Sequence, residues 1–439
     1  MKENKLKRLF AKYFQSNTAS GSIFKNMAIL VMGAGVAKAI SLLLTPFITR
    51  IYSPEDFGVL SVFTSFTALI IPFSTLRYAV AIPLPRNEKV AFNLLILCIT
   101  ILVSVTVIIF IILILFGKPI LIFLSADALV PYWWLIIIMI FGSGFYEILK
   151  NWAIREKSFK ILAKTKVTQI LGASLVKIGL GLLGVKPVGL LFGNIVSQAG
   201  GIFSLGRKFF STFKNSLCYV RRKYFVFLFK YYSGYPKYRL PSQFLLAFSS
   251  KAPLLFFSWL YGIKATGQLG LSFTLMALPL ILFGQTTGQA YFAEISRIGR
   301  KQPKEIYTVT KDVVKKLLFL SIIPFLFLLL FSPIVFPFVF GQQWYDAGVY
   351  TSILAPYLLF QFISSPIMNA LNVLNGQKIF LRINIVRVLG VIFVFLSAYY
   401  LKLTPKTVLI IYSFFLSAHY LMSTLTVFQI INKKNICNE

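Results

Sequence analysis

The amino-acid sequence predicts an all-α integral membrane protein with about twelve transmembrane helices. Of its 439 residues, 57% are hydrophobic and 13% are charged, and the mean hydropathy is +0.79. Soluble domains contain about 45–50% apolar and about 25% charged residues. So few polar residues cannot cover a water-exposed surface, which excludes a cytosolic enzyme, a disordered chain and a secreted disulfide-linked scaffold.

Apolar runs of about 20 residues, the length that crosses a bilayer as a helix, occur twelve times in the chain. They lie at 23–48, 57–82, 90–116, 131–154, 166–184, 187–206, 239–261, 265–292, 317–340, 348–373, 380–401 and 407–431. From them we predict a basic cytoplasmic N-terminal segment 1–21, a six-helix bundle 22–206, a basic cytoplasmic linker 207–238, a second six-helix bundle 239–431 and a cytoplasmic tail 432–439.

The net charge of +33 is compatible with nucleic-acid binding or with the enrichment of Lys and Arg in cytoplasmic loops of membrane proteins. The distribution of the charges separates the two interpretations. With the N-terminus inside, 34 of the 45 Lys and Arg residues lie in cytoplasmic segments, six in outside loops and five within spans. This asymmetry predicts a multi-pass protein with both termini in the cytoplasm, and it favours anionic membrane lipids over nucleic acid as the partner.

The sequence also contains a weak internal repeat. Residues Phe47–Leu60 align without gaps on Phe256–Leu269, with identities that include Gly58 on Gly267. The alignment places the first outside loop on the fourth. Two six-helix bundles in the same orientation would then be related by a pseudo-two-fold axis along the membrane normal.

Five basic residues lie inside the predicted spans: Lys38, Arg77, Lys177, Lys251 and Arg387. Each costs at least about 2.5–3.5 kcal/mol at the centre of a membrane helix and should therefore face protein or a water-filled cavity. Lys38 and Lys251 occupy similar faces of equivalent helices in the repeat. Across a cleft they would bind an anion; the alternative is that each snorkels along its own stem.

The other intramembrane charges also leave two interpretations open. Lys177 lies among glycines that permit close helix packing, either at a cavity or between helices. Arg77 and Arg387 lie near cytoplasmic helix ends, where an arginine either snorkels or grips a phosphate. Glu147 is the one acid well inside a span. It either pairs locally with Lys150 three residues on or binds a coupling proton or sodium ion.

Signatures of catalysis are missing from the sequence. It contains no Walker loop, no HExxH motif and no pair of aspartates suited to a metal. We therefore expect no enzyme activity, no cofactor and no metal. A membrane glycosyltransferase or polymerase, considered as an alternative, would need acidic residues and a larger outside domain than these short outside loops provide.

Four segments resemble a known family. They are TPFITRIYSPEDFGVLSVFTSFTALI (45–70), LRYAVAIPLPRNEKVAFNLL (76–95), YPKYRLPSQFLLAFSSKAPLLFFSWLYG (235–262) and GQAYFAEISR (288–297). The first two resemble the opening of Wzx-type polysaccharide flippases of the multidrug/oligosaccharidyl-lipid/polysaccharide exporter superfamily. The last two are similar to the start of the second half of those proteins.

The resemblance implies a V-shaped pair of six-helix bundles with a cationic central cavity in the bacterial cytoplasmic (inner) membrane. Its cargo would be undecaprenyl-diphosphate-linked oligosaccharide, moved to the outer leaflet by alternating access for O-antigen, lipopolysaccharide or capsule synthesis. Lys38, Lys251 and Arg77 would contact this cargo. A polysaccharide polymerase and a chain-length regulator would be partners. The alternative is a related exporter of a peptidoglycan lipid precursor, or of drugs by ion antiport.

Overall fold

The structure is a computed structural model of the chain and describes residues 19–123, 126–299, 302–374 and 376–436. Most of the predicted N-terminal segment 1–21 and the end of the predicted tail 432–439 lie outside these residues. The described chain is helical and contains no β-strand. The predicted all-α class is therefore confirmed.

Fifteen α-helices make up most of the described chain. They are α1 (Ala19–Ile51), α2 (Pro54–Ser74), α3 (Glu88–Phe123), α4 (Trp133–Arg155), α5 (Phe159–Leu182), α6 (Val188–Ala199), α7 (Gly201–Ser216), α8 (Arg222–Tyr231), α9 (Leu240–Pro279), α10 (Gln285–Ile298), α11 (Pro303–Phe340), α12 (Tyr345–Ile367), α13 (Ala370–Val373), α14 (Gln377–Tyr400) and α15 (Pro405–Ile436). Short 3₁₀ or π segments join several of them.

Ten helical segments of the described chain are long and apolar enough to cross a membrane, against twelve predicted spans. Helix α5, the fifth predicted span, is not among the ten because Lys166, Gln169 and Lys177 interrupt its apolar run. The range of α9 covers the seventh span and the first part of the eighth, and these are two helical stretches separated by a kink at Gly262. The φ of 77° at Gly262 is a non-helical conformation that suits glycine, and it lies between the predicted spans 239–261 and 265–292. The count of twelve stays a prediction.

The second predicted span ends earlier than expected. The sequence predicts a helix to residue 82, whereas α2 stops at Ser74. The chain then turns through Leu76 and Arg77, both with positive φ, and continues as a 3₁₀ helix over Tyr78–Ala81. An apolar run shows that a segment is buried in protein or lipid, but it does not show a turn inside that segment.

The chain divides into two compact units. The first unit comprises residues 1–44, 70–117 and 132–242, and the second comprises 45–69, 118–131 and 243–439. In the first unit Phe92, Trp152 and Phe213 contact one another through their rings. In the second unit Phe257 packs edge-on against Tyr350. Aromatic pairs of this geometry contribute about 0.5–1.5 kcal/mol beyond the area they bury.

The outward faces of the longest helices are apolar. On α3 the side chains of Val107, Ile111 and Leu115 follow one another at four-residue spacing and are 48–64% exposed. On α11 Phe319 and Ile323 are 81% and 74% exposed. Continuous apolar surface of this extent is typical of lipid-facing helices, and we conclude that the protein is a multi-pass membrane protein.

Candidate functional site

An ion pair in the first unit joins two of the predicted site residues. Arg77 Nη1 donates to Glu147 Oε1 at 3.0 Å, and the side chains are only 15% and 14% exposed. Arg77 has a φ of 63°, and Leu76 before it has a φ of 45°. Non-glycine residues in this region cost of order 1–3 kcal/mol and persist where the surroundings hold them. The strained turn thus aims the Arg77 guanidinium at helix α4.

The partner of Glu147 differs from the local one that its sequence neighbours suggest. Glu147 pairs with Arg77, 70 residues away, instead of with Lys150 on the same helix. The expected Glu147–Lys150 pair is therefore wrong. Glu147 pairs with the distant Arg77 because the turn after α2 places the Arg77 guanidinium beside α4. The planar guanidinium of Arg also suits a carboxylate better than the ammonium of Lys does. The roles of Arg77 in substrate contact and of Glu147 in ion coupling stay predictions.

A group of lysines also comes together in the first unit. Helix α1 passes so close to α5 that a Cβ on Gly33 would lie 2.7 Å from Ala163 Cβ. Five residues further along α1, Lys38 is half-buried and lies within electrostatic range of Lys166 and Lys177 on α5. A concentration of positive charge attracts anions, so this group is a candidate anion site.

Sequence analysis missed two members of this group, Lys150 and Lys166. Lys150 on α4 lies within electrostatic range of Lys166, but the charge census assigned both lysines to a cytoplasmic segment. Lys166 is half-buried, like Lys38. The available signal was their position at the ends of the predicted spans 131–154 and 166–184, combined with the absence of Asp and Glu from α1 and α5.

Lys177 occupies space that a glycine leaves on a neighbouring helix. A Cβ added to Gly193 of α6 would lie 2.2 Å from Lys177 Cγ and 2.9 Å from the carbonyl oxygen of Ala173. The stem of Lys177 therefore lies directly against the α6 backbone. This contact accords with the close helix packing expected from the glycines of this region.

Arg387 is the charged residue that the second unit holds between three helices. It lies near the middle of the 24-residue helix α14, about 15 Å from its first residue at 1.5 Å per residue. Its Nη1 donates to Tyr420 Oη at 3.3 Å and its Nη2 to Ser249 Oγ at 2.5 Å. The helices that carry these residues, α9, α14 and α15, contain no Asp or Glu.

In the part of the chain that the structure describes, the side chains that hydrogen-bond the Arg387 guanidinium are the neutral Ser249 and Tyr420. The ion pairs of Arg77, Lys264 and Arg297 do not include Arg387. Hydroxyl groups orient a guanidinium but do not neutralise it, and a half-buried uncompensated cation attracts an anion. Arg387 is therefore a second candidate anion site.

Lys38 and Lys251 lie in different units. Lys38 belongs to the first unit, and Lys251 lies in the second, two residues after Ser249 on α9. Lys251 is half-buried. It lies on α9, the helix that also carries Ser249, one of the two hydroxyl groups that bind Arg387. That Lys38 and Lys251 face each other across a cleft stays a prediction.

The predicted repeat has a counterpart in the second unit, which contains both aligned segments. A Cβ on Gly58 would lie 2.1 Å from the carbonyl oxygen of Ile263, and a Cβ on Gly267 would lie 1.8 Å from that of Pro54. The alignment of Gly58 on Gly267 also places Pro54 on Ile263. The two contacts are therefore reciprocal, as in an interface with two-fold symmetry, and only glycine fits at either position.

Solved structures with a similar fold are membrane transporters. An inward-facing multidrug resistance MATE family transporter of the MOP superfamily is 14% identical with a TM-score of 0.66, over 91% of this chain and 95% of that one. The lipid II flippase MurJ, in an inward closed conformation, is 16% identical with a TM-score of 0.64, over 92% and 91%. The Vibrio cholerae MATE transporter VcmN, as a mutant, is 13% identical with a TM-score of 0.55, over 94% and 96%.

These likenesses define the class as a multi-pass membrane protein with the fold that the MATE and MurJ structures share. Residues 47–349 match the sequence model of the polysaccharide biosynthesis protein family, and the chain belongs to that family. A comparison with curated proteins gives no match. The family match and the shared fold confirm the resemblance to polysaccharide-synthesis membrane proteins of this fold.

Proposed function

We propose that the protein moves undecaprenyl-diphosphate-linked oligosaccharide repeat units from the cytoplasmic to the outer leaflet by alternating access. The product would enter surface polysaccharide synthesis, such as that of O-antigen, capsule or exopolysaccharide. The observation that carries the proposal is Arg387, a half-buried guanidinium held by Ser249 and Tyr420 on helices without an acidic residue. A diphosphate supplies the negative charge that these helices lack.

The chemistry of the cargo accounts for the lysines as well. A diphosphate and several sugar hydroxyls cannot cross hydrocarbon unaccompanied, because each unsatisfied polar group costs several kcal/mol there. Fixed cations in a hydrated passage offset this cost, while the lipid tail stays in the bilayer. We assign this role to Lys38 and Lys177, with Lys150 and Lys166 in electrostatic range of this group, and to Lys251 on α9.

The Arg77–Glu147 pair suggests how transport would be coupled to an ion. While Glu147 is ionised it neutralises Arg77, and the guanidinium does not attract a second anion. Protonation of Glu147 would break the pair and leave Arg77 charged and exposed to a phosphate. In this proposal Glu147 binds the coupling proton and Arg77 binds substrate only after the proton has arrived.

The proposed location is the cytoplasmic membrane of a bacterium, with both termini in the cytoplasm. The 34 to six distribution of basic residues supports that orientation. In it the basic linker 207–238 faces the leaflet on which a lipid-linked sugar chain would be assembled. A polysaccharide polymerase and a chain-length regulator would act on the unit after it is delivered to the outer leaflet.

The test is deletion of the gene, followed by complementation with variants. Loss of surface polysaccharide, restored by the wild-type gene, supports the proposal. The deletion should also be made in a strain that cannot start the glycan, so that no loaded carrier accumulates. Lethality in that strain would instead indicate a peptidoglycan precursor as cargo, and sensitivity to cationic compounds with normal glycan would indicate a drug exporter.

Variants of helix α14 test the carrying observation. Arg387→Gln should reduce surface glycan strongly at unchanged membrane abundance. Arg382→Gln removes the same charge from an exposed position on the same helix and should leave the glycan near normal. Equal glycan levels in the two variants would remove Arg387 from the mechanism. Lys38→Ala and Lys251→Ala, singly and together, test the lysines in the same assay.

A further inference from the structure

Helix α8, in the predicted basic linker, is bound to the first unit along one side. The Tyr78 hydroxyl donates a hydrogen bond of 2.9 Å to the carbonyl oxygen of Phe229, and the two rings stack with centroids 5.6 Å apart. Leu228 is buried, with 1% of its surface exposed, and packs in the hydrophobic core of the first unit. This side of α8 is therefore fixed in place.

The segment immediately before α8 is also attached. The Asn93 side-chain amide donates to the carbonyl oxygen of Tyr219 at 2.8 Å and accepts from the backbone N–H of Arg221 at 2.9 Å. The Lys89 ammonium lies 5.2 Å from the centroid of the Tyr219 ring. With attachments before and within the helix, the orientation of α8 on the first unit is determined.

The opposite side of α8 presents basic and apolar residues in one stripe. Lys223, Val226, Phe227 and Lys230 occupy positions i, i+3, i+4 and i+7, which lie on one helix face. Val226 and Phe227 are 59% and 56% exposed, and both lysines are exposed. Two apolar side chains between two lysines match a bilayer interface, because the apolar groups enter the headgroup boundary while the ammonium groups reach phosphates.

The charge of the surrounding sequence selects an anionic partner. Residues 157–293 contain no Asp or Glu, and the segment 207–239 alone contains nine Lys and Arg. A neutral lipid surface would satisfy the apolar residues but leave this charge uncompensated. A surface with anionic headgroups accepts the apolar residues and also compensates the positive charge, and each lysine near it contributes about 1 kcal/mol of binding free energy.

We propose that Lys223, Val226, Phe227 and Lys230 form a docking face for anionic phospholipid of the cytoplasmic leaflet. Docking of α8 then holds Tyr78, whose hydroxyl binds the α8 backbone. Tyr78 directly follows Arg77 in the turn that makes the ion pair with Glu147. The lipid surface thereby positions the Arg77 turn. This inference concerns the lipid and does not depend on the identity of the cargo.

The test places a polarity-sensitive bimane label on α8 in the full-length protein. The label is attached to Val226→Cys in a protein that also carries Cys218→Ser and Cys437→Ser; Cys218 is exposed, and the remaining Cys98 is buried. Nanodiscs contain spin-labelled quencher lipid and phosphatidylcholine, with phosphatidylglycerol replacing the latter stepwise. We expect quenching to rise with phosphatidylglycerol and to fall at high salt, since salt screens the attraction.

A charge-neutral variant measures the contribution of the lysines. The double variant Lys223→Gln with Lys230→Gln should weaken docking about thirtyfold. Each lysine contributes about 1 kcal/mol, and an equilibrium constant changes tenfold for every step of about 1.4 kcal/mol. The control, Lys315→Gln with Lys316→Gln, removes two exposed lysines from α11 and should leave docking unchanged. Quenching that is independent of phosphatidylglycerol, an equal loss in the control, or no quenching in any lipid would each overturn the proposal.

Discussion

Replacing Glu147 by Gln should destabilise the protein more than removal of a surface charge would. The carboxylate lies 3.0 Å from Arg77 Nη1, and both side chains are about six-sevenths buried. At an effective dielectric constant of about 20, two unit charges at that distance attract by about 5 kcal/mol. Removing one partner leaves the other buried and unpaired, and breaking such a pair costs about 3–5 kcal/mol.

A double-mutant cycle separates the pair from other effects of each substitution. We expect Glu147→Gln and Arg77→Gln each to lower the unfolding free energy by about 3–5 kcal/mol. The double variant should lose much less than the sum, because no charge is left without a partner. The coupling energy should then be about 3 kcal/mol, near the upper end of the range found for neighbouring residues.

The assay is equilibrium unfolding of the full-length protein in mixed micelles by titration with sodium dodecyl sulfate. Glu156→Gln is the matched control, since Glu156 lies exposed just after the end of the same helix and should change the unfolding free energy by less than about 0.5 kcal/mol. A coupling energy near zero would refute the reasoning. Unchanged stability together with lost surface glycan would assign Glu147 to ion coupling alone.

Two further substitutions test the second unit by the same unfolding assay. Gly267→Ala adds a Cβ that would lie 1.8 Å from the Pro54 carbonyl oxygen, and it should lower the unfolding free energy by about 1–3 kcal/mol. In the control, Gly206→Ala, the added Cβ meets nothing within 4 Å, so this variant should be neutral or stabilising. Trp344→Phe keeps an aromatic ring but loses the indole N–H bond of 2.9 Å to the Thr49 carbonyl. It should cost about 0.5–1.5 kcal/mol, because the Thr49 oxygen keeps its hydrogen bond of 2.8 Å from Gln343 Nε2.

Composition and apolar runs were sufficient to predict an all-α membrane protein, because burial of backbone hydrogen bonds in lipid permits few alternatives. The same runs did not predict where helices end or join. Helix α2 stops at Ser74, whereas the predicted span runs to residue 82. Hydropathy averages over about 20 residues, so a turn of two or three residues has little influence on it.

Some residues of the candidate site could be singled out from the sequence, but Lys150 and Lys166 were missed and the pairings could not be predicted. A charge within an apolar run is conspicuous, and this identified Arg77, Glu147 and Arg387. Their partners are set by contacts between helices far apart in sequence, such as the contact of Arg387 with Ser249 across 138 positions. A single sequence reports i, i+3 neighbours and contains no record of such contacts, which is why Lys150 was expected to pair with Glu147.

The two intramembrane arginines, Arg77 and Arg387, have similar sequence surroundings but different side-chain partners in the structure. Arg77 has a carboxylate at 3.0 Å, whereas Arg387 has the hydroxyls of Ser249 and Tyr420. A protein selected only for stability gains nothing from an uncompensated buried guanidinium, which costs free energy in a membrane. The same group gains binding energy whenever an anion arrives. The asymmetry therefore predicts that anion affinity depends on Arg387 directly, and on Arg77 only when its ion pair with Glu147 is open.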